Sequence, residues 1–284
     1  MKAYDLGFGE SADALLVRPG SDTAIDLPEA RVAGWCGGRA PGIGAAGWPR
    51  SPITGLPMVH VLTLELPPDY RRKGPALVAI AFFQADDHVA DDVDGVAELL
   101  AGSPLSAEQA ADPFLAAVAA AAAARHPRQQ DLEDLIGGTH ALIWLTAAEL
   151  GAPRTEPPAD IRPADPGDPS DPSCFGRNAW DDSAAETTVW IGERADDPNT
   201  GIAPSEDGDD AYVEAWSSED PHLQEYWTTI SGRSHLGGTI VPCQAVPGGL
   251  TPYVFELEDG VGEVNFGGGN AQIDLESGVF DWAQ

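Results

Sequence analysis

Apolar and polar residues alternate in several short segments of the chain, which is the pattern of β-strands with one buried face. Residues 58–66 (MVHVLTLEL) alternate branched apolar residues with His60 and Glu65, and residues 76–83 (ALVAIAFF) form a continuous apolar run. Both segments predict strands. Residues 139–145 (THALIWL) are compatible with a strand or a helix. Shorter segments bounded by glycine or aspartate predict further strands at 187–191, 253–257 and 271–275.

One long segment has the composition of a helix. Residues 106–125 (SAEQAADPFLAAVAAAAAAR) are rich in alanine, which has the highest helix propensity. Pro113 is expected near the start of this helix, and Pro127 is expected to stop it. The coarse secondary structure is therefore mixed.

Two segments of the chain resemble each other. Residues 55–65 (GLPMVHVLTLE) and 249–258 (GLTPYVFELE) each lead from a glycine turn into an alternating strand. Upstream of each lies a glycine pair, at 37–38 and 237–238, which is followed by a proline, and a third pair at 137–138 precedes a threonine as the 237–238 pair does. The pattern predicts an internal duplication of a glycine turn, a proline-containing loop and a strand. Because 32 of 284 residues are glycine, coincidence is the alternative.

The charge of the chain is strongly negative. Aspartate and glutamate number 46 against 15 lysines and arginines, which gives a formal charge of −31. Such a surface repels phosphate backbones and anionic lipid headgroups, which argues against nucleic-acid and membrane partners. Cations, basic proteins and neutral ligands are the expected partners. Adaptation to high salt, or a codon bias that avoids lysine, would give a similar composition.

The acidity is unevenly distributed and divides the chain into three regions. Residues 1–150 carry a net charge of −10, residues 151–221 carry −14 and residues 222–284 carry −7. We interpret the first and third regions as the two halves of one α+β unit and the middle region as an acidic loop region. Within it, residues 152–173 alternate proline with aspartate and predict a loop, as does the polar segment 196–210.

Cellular location is indicated by two features. The chain contains no run of about 18 apolar residues and begins without a basic segment followed by an apolar one, so neither a spanning helix nor a secretory signal is expected. Its three cysteines, Cys36, Cys174 and Cys243, lie far apart, which argues against a disulfide framework. We expect a cytoplasmic protein.

Signatures of nucleophilic catalysis are missing from the sequence. Cys36 and Cys243 match no thiol-enzyme spacing, and a free cysteine is more often a small buried hydrophobic residue. Residues 232–236 (GRSHL) fail the nucleophile-elbow pattern at their last position. The sequence therefore predicts no catalytic residue, and an enzymatic role is the less favoured one.

Metal and cofactor motifs are also missing. The six histidines form no zinc motif. The acidic segments 86–88, 91–95 and 206–210 have the oxygen ligands that calcium prefers but not the calcium-loop spacing, so solvated acidic surface is the favoured interpretation. Residues 42–47 (GIGAAG) match a dinucleotide-binding pattern as letters, but Trp48 and Pro49 follow directly and leave no helix to receive a phosphate. We expect no metal and no cofactor.

Motifs at the two ends of the chain resemble the YwqG-like family, a bacterial family of unknown function. The motifs are Gly37-Gly38-Arg39-Ala40-Pro41, Trp48-Pro49, His235-Leu236-Gly237-Gly238 with Pro242 and Gln244, the strand at 253–257, Gly267-Gly268-Gly269, and the segment from Gln272 to Trp282. They cover about 100 residues and occur in the order of the family. The resemblance implies an α+β fold of largely antiparallel strands with a duplicated half. It implies no catalytic residue, and the proximity of some relatives to secreted-toxin genes makes an immunity role an expectation.

The sequence supports two hypotheses of function, which belong to different classes. The leading hypothesis is an acidic binding protein that sequesters a basic partner such as a toxin domain, with Glu206, Asp207, Asp209 and Asp210 as candidate contacts. The alternative is an enzyme or small-ligand binder with a cleft between the two halves, because glycine turns allow close approach of a ligand. The candidate cleft residues are Trp35, Gly37, Gly38, Trp48, His235, Gly237, Gly238 and Gln244. Glycines that only make turns and tryptophans that only fill the core are the simpler interpretation, and the oligomeric state stays open.

Overall fold

A computed structural model describes residues 1–85, 87, 90–134, 136–159, 185–205, 211–214 and 220–283. The strands in these residues are β1 (Ala3–Phe8), β2 (Leu15–Leu16), β3 (Ala24–Ile25), β4 (Arg31–Cys36), β5 (Ala40–Pro41), β6 (Val59–Glu65), β7 (Leu77–Ala85), β8 (Gln129–Glu133), β9 (Thr139–Thr146), β10 (Arg154–Thr155), β11 (Thr187–Arg194), β12 (His235–Leu236), β13 (Val254–Glu258), β14 (Asn270–Asp274) and β15 (Phe280–Ala283). The helices are α1 (Val96–Leu100), α2 (Pro113–Ala123), α3 (Ala147–Leu150) and α4 (Pro221–Ile230).

The fold is α+β, with mostly antiparallel sheet and few helices in the described residues. Most of the longer strands are buried along nearly their whole length, so their backbone groups must be satisfied by pairing with neighbouring strands. The predicted fold class is confirmed at this level.

The chain divides into two compact units. The first unit contains Met1–Cys36, Leu64–Val78 and Thr187–Gln284, and the second contains Gly37–Thr63 and Ala79–Glu186. The division follows contacts and not charge, so residues of the acidic region 151–221 fall in both units. Strands β6 and β7 belong mainly to the second unit. The last two residues of β6 and the first two residues of β7 belong to the first unit.

The first unit is built on an antiparallel sheet. Its strand order is β15-β14-β13-β12-β1-β11-β4, and every neighbouring pair is antiparallel. The small strands β2 and β3 pair with each other, and β2 also pairs with β1. Asp5 on β1 lies opposite Gly192 on β11, so the side chain of Asp5 meets its diagonal neighbour Arg194.

The second unit has the strand order β6-β7-β9-β8 and a separate antiparallel pair of β5 with β10. Strand β8 stands at the end of this order and pairs antiparallel with β9. Helices α1 and α2 pack together through an apolar cluster of buried residues, which are Leu56, Val96, Leu99, Phe114 and Val118. Gly55 lies beside Phe114, so the turn before β6 closes against α2.

The predicted strands are confirmed within two or three residues at their ends. The segments at 58–66 and 76–83 correspond to β6 and β7, and those at 187–191, 253–257 and 271–275 correspond to β11, β13 and β14. The ambiguous segment 139–145 is strand β9, whose residues 139–145 are all buried. A strand buried on both faces lacks alternation, which explains why its sequence left two alternatives.

The alanine-rich helix begins at Pro113, as expected. The side chain of Asp112 accepts a hydrogen bond from the Phe114 amide at 2.8 Å and caps the first turn. Residues 109–111 form a separate 3-10 turn. The helix ends at Ala123, before Pro127 as expected.

Several elements were not predicted, among them β1, β4, β8, β15 and helix α4. The predicted loop 152–173 is described only to residue 159, where it contains the short strand β10. The loop 196–210 is described to residue 205 and has no helix or strand there. In the part of the chain that the structure describes, no helix has the length and apolar character needed to cross a bilayer.

Candidate functional site

The glycine pair of the first unit forms a tight turn that no other residue type would fit. Gly237 and Gly238 have φ of +62° and +74°. The Gly237 amide donates to the Val254 carbonyl at 2.7 Å, and a Cβ on Gly238 would collide with the carboxylate of Asp197. The Nδ1 atom of His235 lies 3.0 Å from the Gly237 carbonyl oxygen. The turn is thereby tied to both β12 and β13.

The glycine pair of the second unit is built in the same way. Gly37 and Gly38 have φ of +73° and +64°. The Gly37 amide donates to the Val61 carbonyl at 2.8 Å, and the Nδ1 atom of His60 lies 3.1 Å from the Gly37 carbonyl oxygen. A Cβ on Gly38 would collide with the side chain of Glu186. Each pair thus bonds to a strand and a histidine ring and lies close to a carboxylate side chain.

Arginines hold both of these carboxylates. The Nε atom of Arg39 donates to Glu186 at 2.8 Å, and Arg154 contacts the other oxygen. Burial raises the pKa of Glu186, but Arg39 and Arg154 outweigh this effect and lower it overall. Burial likewise raises the pKa of Asp197, while hydrogen bonds from the Thr239 amide and the charge of Arg194 bring it below its ordinary value. Both carboxylates are therefore ionised structural anchors.

His235 belongs to a buried network. Its Nε2 atom lies 3.1 Å from Oε1 of Glu256, and both side chains are at most 1% exposed. Glu256 also accepts hydrogen bonds from the Val241 amide at 2.9 Å and from Nε2 of Gln272 at 3.0 Å. Both ring nitrogens of His235 are engaged inside the unit, so the ring links β12 to β13 and does not reach a cleft.

Next to this network lies Glu258, whose carboxyl group has a raised pKa. Glu258 is buried and accepts a hydrogen bond from Nδ2 of Asn270 at 3.2 Å. Burial and the neighbouring Glu256 raise the pKa of Glu258 to about 7. Burial and the same two glutamates raise the pKa of the nearby Cys243 thiol, and burial raises that of Cys36 to about 12. Neither thiol has the thiolate character that a nucleophile needs.

The candidate cleft residues divide between the units. Trp35, His235, Gly237, Gly238 and Gln244 lie in the first unit, and Gly37, Gly38 and Trp48 lie in the second. Trp48 is buried, donates from Nε1 to the Met58 carbonyl at 2.8 Å and meets Phe83 edge to face. Gln244 is exposed. The acidic candidates Glu206, Asp207, Asp209 and Asp210 lie outside the described residues.

The second unit contains a cavity of about 340 Å³ that is open to solvent. Among the candidate residues only Trp48 lines it. Its apolar walls come from the loop 47–52, Met58, helices α1 and α2, and Leu132 of β8. Its volume is at the lower end of the range for ligand pockets, roughly 300–1,000 Å³. Sequence reasoning selected Trp48 but missed the cavity, because its walls come from segments that are separated along the chain.

Polar side chains also line the cavity. Arg125 pairs with Asp131 at 2.7 Å, and Gln129 donates to Asp131 at 2.9 Å. Arg50 donates from Nη1 to the Gly55 carbonyl at 2.8 Å, which fixes its position. Glu133, Thr139 and His140 are further polar residues of its lining. An apolar body with a few fixed polar groups is the arrangement of small-ligand sites.

The cavity lies in the same unit as a surface that we call the acidic face, defined as the exposed residues Asp91, Asp92, Asp94, Glu98 and Glu108 before and around α1. The chain has no lysine or arginine between Lys73 and Arg125. Accordingly, none of the five carboxylates forms an ion pair within the described residues. The acidic face is therefore an uncompensated patch of negative charge.

Among the residues that the structure describes, no three histidine, cysteine, aspartate or glutamate side chains form a group that could hold a metal ion.

Comparison with known proteins gives no neighbour: no family model, curated protein or solved structure matches this chain.

Proposed function

We propose that this chain is an acidic cytoplasmic binding protein of the YwqG-like family that captures a basic protein, such as a toxin domain. The observation that carries the proposal is the acidic face, whose five carboxylates are exposed and, within the described residues, without a cationic neighbour. A surface of this kind raises the association rate of a cationic partner and loses that advantage as salt rises.

The twin glycine turns support membership of a family with a duplicated half. In both units a glycine amide bonds to a strand carbonyl, a histidine Nδ1 meets the first glycine carbonyl, and an arginine-bound carboxylate packs on the second glycine. The two turns share these kinds of contact, although His60 lies on β6, after its glycine pair, and His235 lies on β12, before its pair. We include the duplication in the proposal on the basis of these shared contacts.

The proposal is tested with purified protein and the host lysate, by affinity purification and mass spectrometry at low and high salt. The variant D91N/D92N/D94N/E98Q/E108Q removes the charge of the acidic face. The matched control E10Q/D13N/D22N/D26N/E29Q removes five exposed carboxylates of the first unit, which also form no ion pair within the described residues.

We expect the wild type and the control to enrich the same basic protein at low salt, with affinities for that purified protein that agree within about threefold. The acidic-face variant should bind it about tenfold or more weakly. If no basic protein is enriched, or if both variants lose affinity equally, the acidic face is not the surface that binds a basic partner.

A second candidate function is binding of a small ligand, and the cavity of the second unit favours it. A neutral fluorescent probe, N-phenyl-1-naphthylamine, tests whether the cavity accepts an apolar body. The variant A122F fills the cavity from α2, whereas A123F adds the same side chain at the exposed neighbouring position. Loss of probe binding in A122F alone supports the candidate, and equal binding in both variants rejects it.

A further inference from the structure

Strand β8 leaves one of its edges open. It stands last in the strand order of the second unit and pairs with β9. Among the described residues no other strand pairs with it. An open edge presents unpaired amide and carbonyl groups, which makes it a template for another extended chain.

The register shows which residues face the open side. The Trp144 amide donates to the Arg128 carbonyl at 3.4 Å, and the Asp134 amide donates to the Gly138 carbonyl at 3.1 Å. In an antiparallel pair these hydrogen-bonded positions alternate, so the even-numbered residues 128–134 point their backbone groups at β9. The odd-numbered residues point theirs outward.

Two of the outward residues are available to a partner. The Gln129 amide turns back to the His126 carbonyl, and the Gln129 carbonyl accepts from Arg125. Within the described residues, the outward amide and carbonyl groups of Asp131 and Glu133 have no partner. This stretch can form four backbone hydrogen bonds with one extended segment.

The side chains beside the open edge specify the charge of its occupant. Asp131 and Glu133 are exposed, and Glu133 makes no ion pair or side-chain hydrogen bond with any described residue. Asp131 pairs with Arg125, but this pair is itself exposed. A second copy of the chain would place like charges opposite one another, which is destabilising, whereas lysine or arginine opposite these residues is favourable.

The other side of the strand specifies an apolar neighbour. Leu132 points to the opposite face of β8 and is buried. A strand added to β8 would alternate in the same way as β8 does. Its basic residues would lie beside Asp131 and Glu133, and its intervening residues would lie beside Leu132 on the opposite face.

We infer that the β8 edge binds an extended segment of the basic partner as an additional antiparallel strand, with basic side chains against Asp131 and Glu133 and apolar side chains beside Leu132. This inference rests on the proposed function, because it assigns the binding mode to the same cationic partner. Strand addition of this kind takes its affinity from main-chain hydrogen bonds and its specificity from alternate side chains.

The first test uses a fluorescein-labelled peptide of alternating lysine and valine, followed by fluorescence anisotropy. In an antiparallel pair, the peptide residue opposite Asp131 exchanges both backbone bonds with it and shares its face. Lysine should occupy this position. Methylation of the lysine amides should therefore lower affinity by about tenfold or more, whereas methylation of the valine amides should change it by less than about threefold.

The second test places proline at the edge. The Asp131 amide points away from β9, so D131P removes an outward donor while the bonds between β8 and β9 remain, and proline is accepted at such positions. The matched control D131A removes the same charge and keeps the amide. We expect D131P to bind the peptide about tenfold more weakly than D131A.

The outcomes separate this inference from the proposed function. Equal binding by D131P and D131A, or equal binding of the two methylated peptides, overturns strand addition at β8. Capture of the basic partner by the acidic face can persist in that case and is scored by its own variants. If D131P loses its cooperative thermal unfolding, the methylated peptides decide the question on the unaltered chain.

Discussion

Asp5 and Arg194 form a buried ion pair between neighbouring strands of the first unit. The Nε atom of Arg194 donates to Oδ1 of Asp5 at 2.8 Å, and neither side chain is more than 5% exposed. Arg233 adds a bond to Oδ2 of Asp5 at 2.9 Å, and Arg194 also reaches Asp197 at 3.1 Å. One arginine thereby connects β1 and β11 to the carboxylate beneath the Gly237–Gly238 turn.

The variant D5A is expected to be strongly destabilised. Removing one partner of a buried ion pair leaves the other charge desolvated, which costs about 3–5 kcal/mol. The exposed pair of Lys2, which directly precedes β1, with Glu193 of β11 provides the control, because E193Q should change stability by less than about 1 kcal/mol. Urea unfolding of both variants measures the difference. A loss in D5A no greater than that in E193Q would show that the buried pair does not hold the sheet together.

The variant G238A is expected to strain the turn it occupies. Gly238 has φ of +74°, and an added Cβ would lie 2.9 Å from the Cβ of Ala3 and collide with Asp197. Backbone strain alone costs about 1–3 kcal/mol, and displacement of Asp197 adds to it. Gly248 is the matched control, because its φ is not positive and an added Cβ there would meet no described residue beyond its chain neighbours within 4 Å. Thermal unfolding should show a large loss for G238A and little change for G248A.

Glu258 should make stability fall as pH rises. Burial raises its folded pKa to about 7 from an ordinary value of 4.5, so between these values the folded chain keeps a proton that the unfolded chain releases. The contribution of Glu258 to stability is therefore most favourable below pH 4.5 and declines up to about 7. E258Q keeps an acceptor for Asn270 and cannot ionise.

The measurement for Glu258 is the pH dependence of the difference in unfolding free energy between E258Q and the wild type. We expect this difference to favour E258Q increasingly from pH 4.5 to about 7, by up to roughly 3 kcal/mol. Glu225, which is exposed on α4, gives the control E225Q. A difference for E258Q that stays constant across this range would contradict a proton held in the folded state.

The local pattern of apolar and polar residues was sufficient to predict the strands whose own residues show that pattern. The alternation of β6 and the apolar run of β7 identify these strands, and Pro127 limits the helix, because each depends on neighbouring residues alone. Strand β8 was missed since its sequence, QQDLE, has one apolar residue and becomes a strand by pairing with β9. The local sequence could predict the glycine turns but not the carboxylates beneath them.

The candidate site could be predicted from local sequence even less well than the fold. Trp48 was selected from the sequence and does line the cavity, but the other walls come from α1, α2 and β8, which are distant along the chain. His235 was selected with it, and its ring is enclosed by Glu256 and the Gly237 carbonyl. A single sequence shows that a histidine is present and does not show whether its nitrogens are already engaged.

Glu149 should stabilise the second unit at neutral pH and lose this effect in acid. Its carboxylate accepts hydrogen bonds from the amide and hydroxyl of Thr146 at 2.8 and 2.7 Å and contacts Arg128, which directly precedes β8. Burial raises the pKa of Glu149, but these partners outweigh burial and lower it to about 2. The stabilisation is complete above the unfolded value of 4.5 and is lost as pH falls toward 2. E149Q should therefore be less stable than the wild type by about 1–3 kcal/mol at pH 7, and the difference should shrink toward pH 2. E98Q, at an exposed position of α1, should show no such trend, and a pH-independent deficit in E149Q would mean that its charge is not what stabilises the unit.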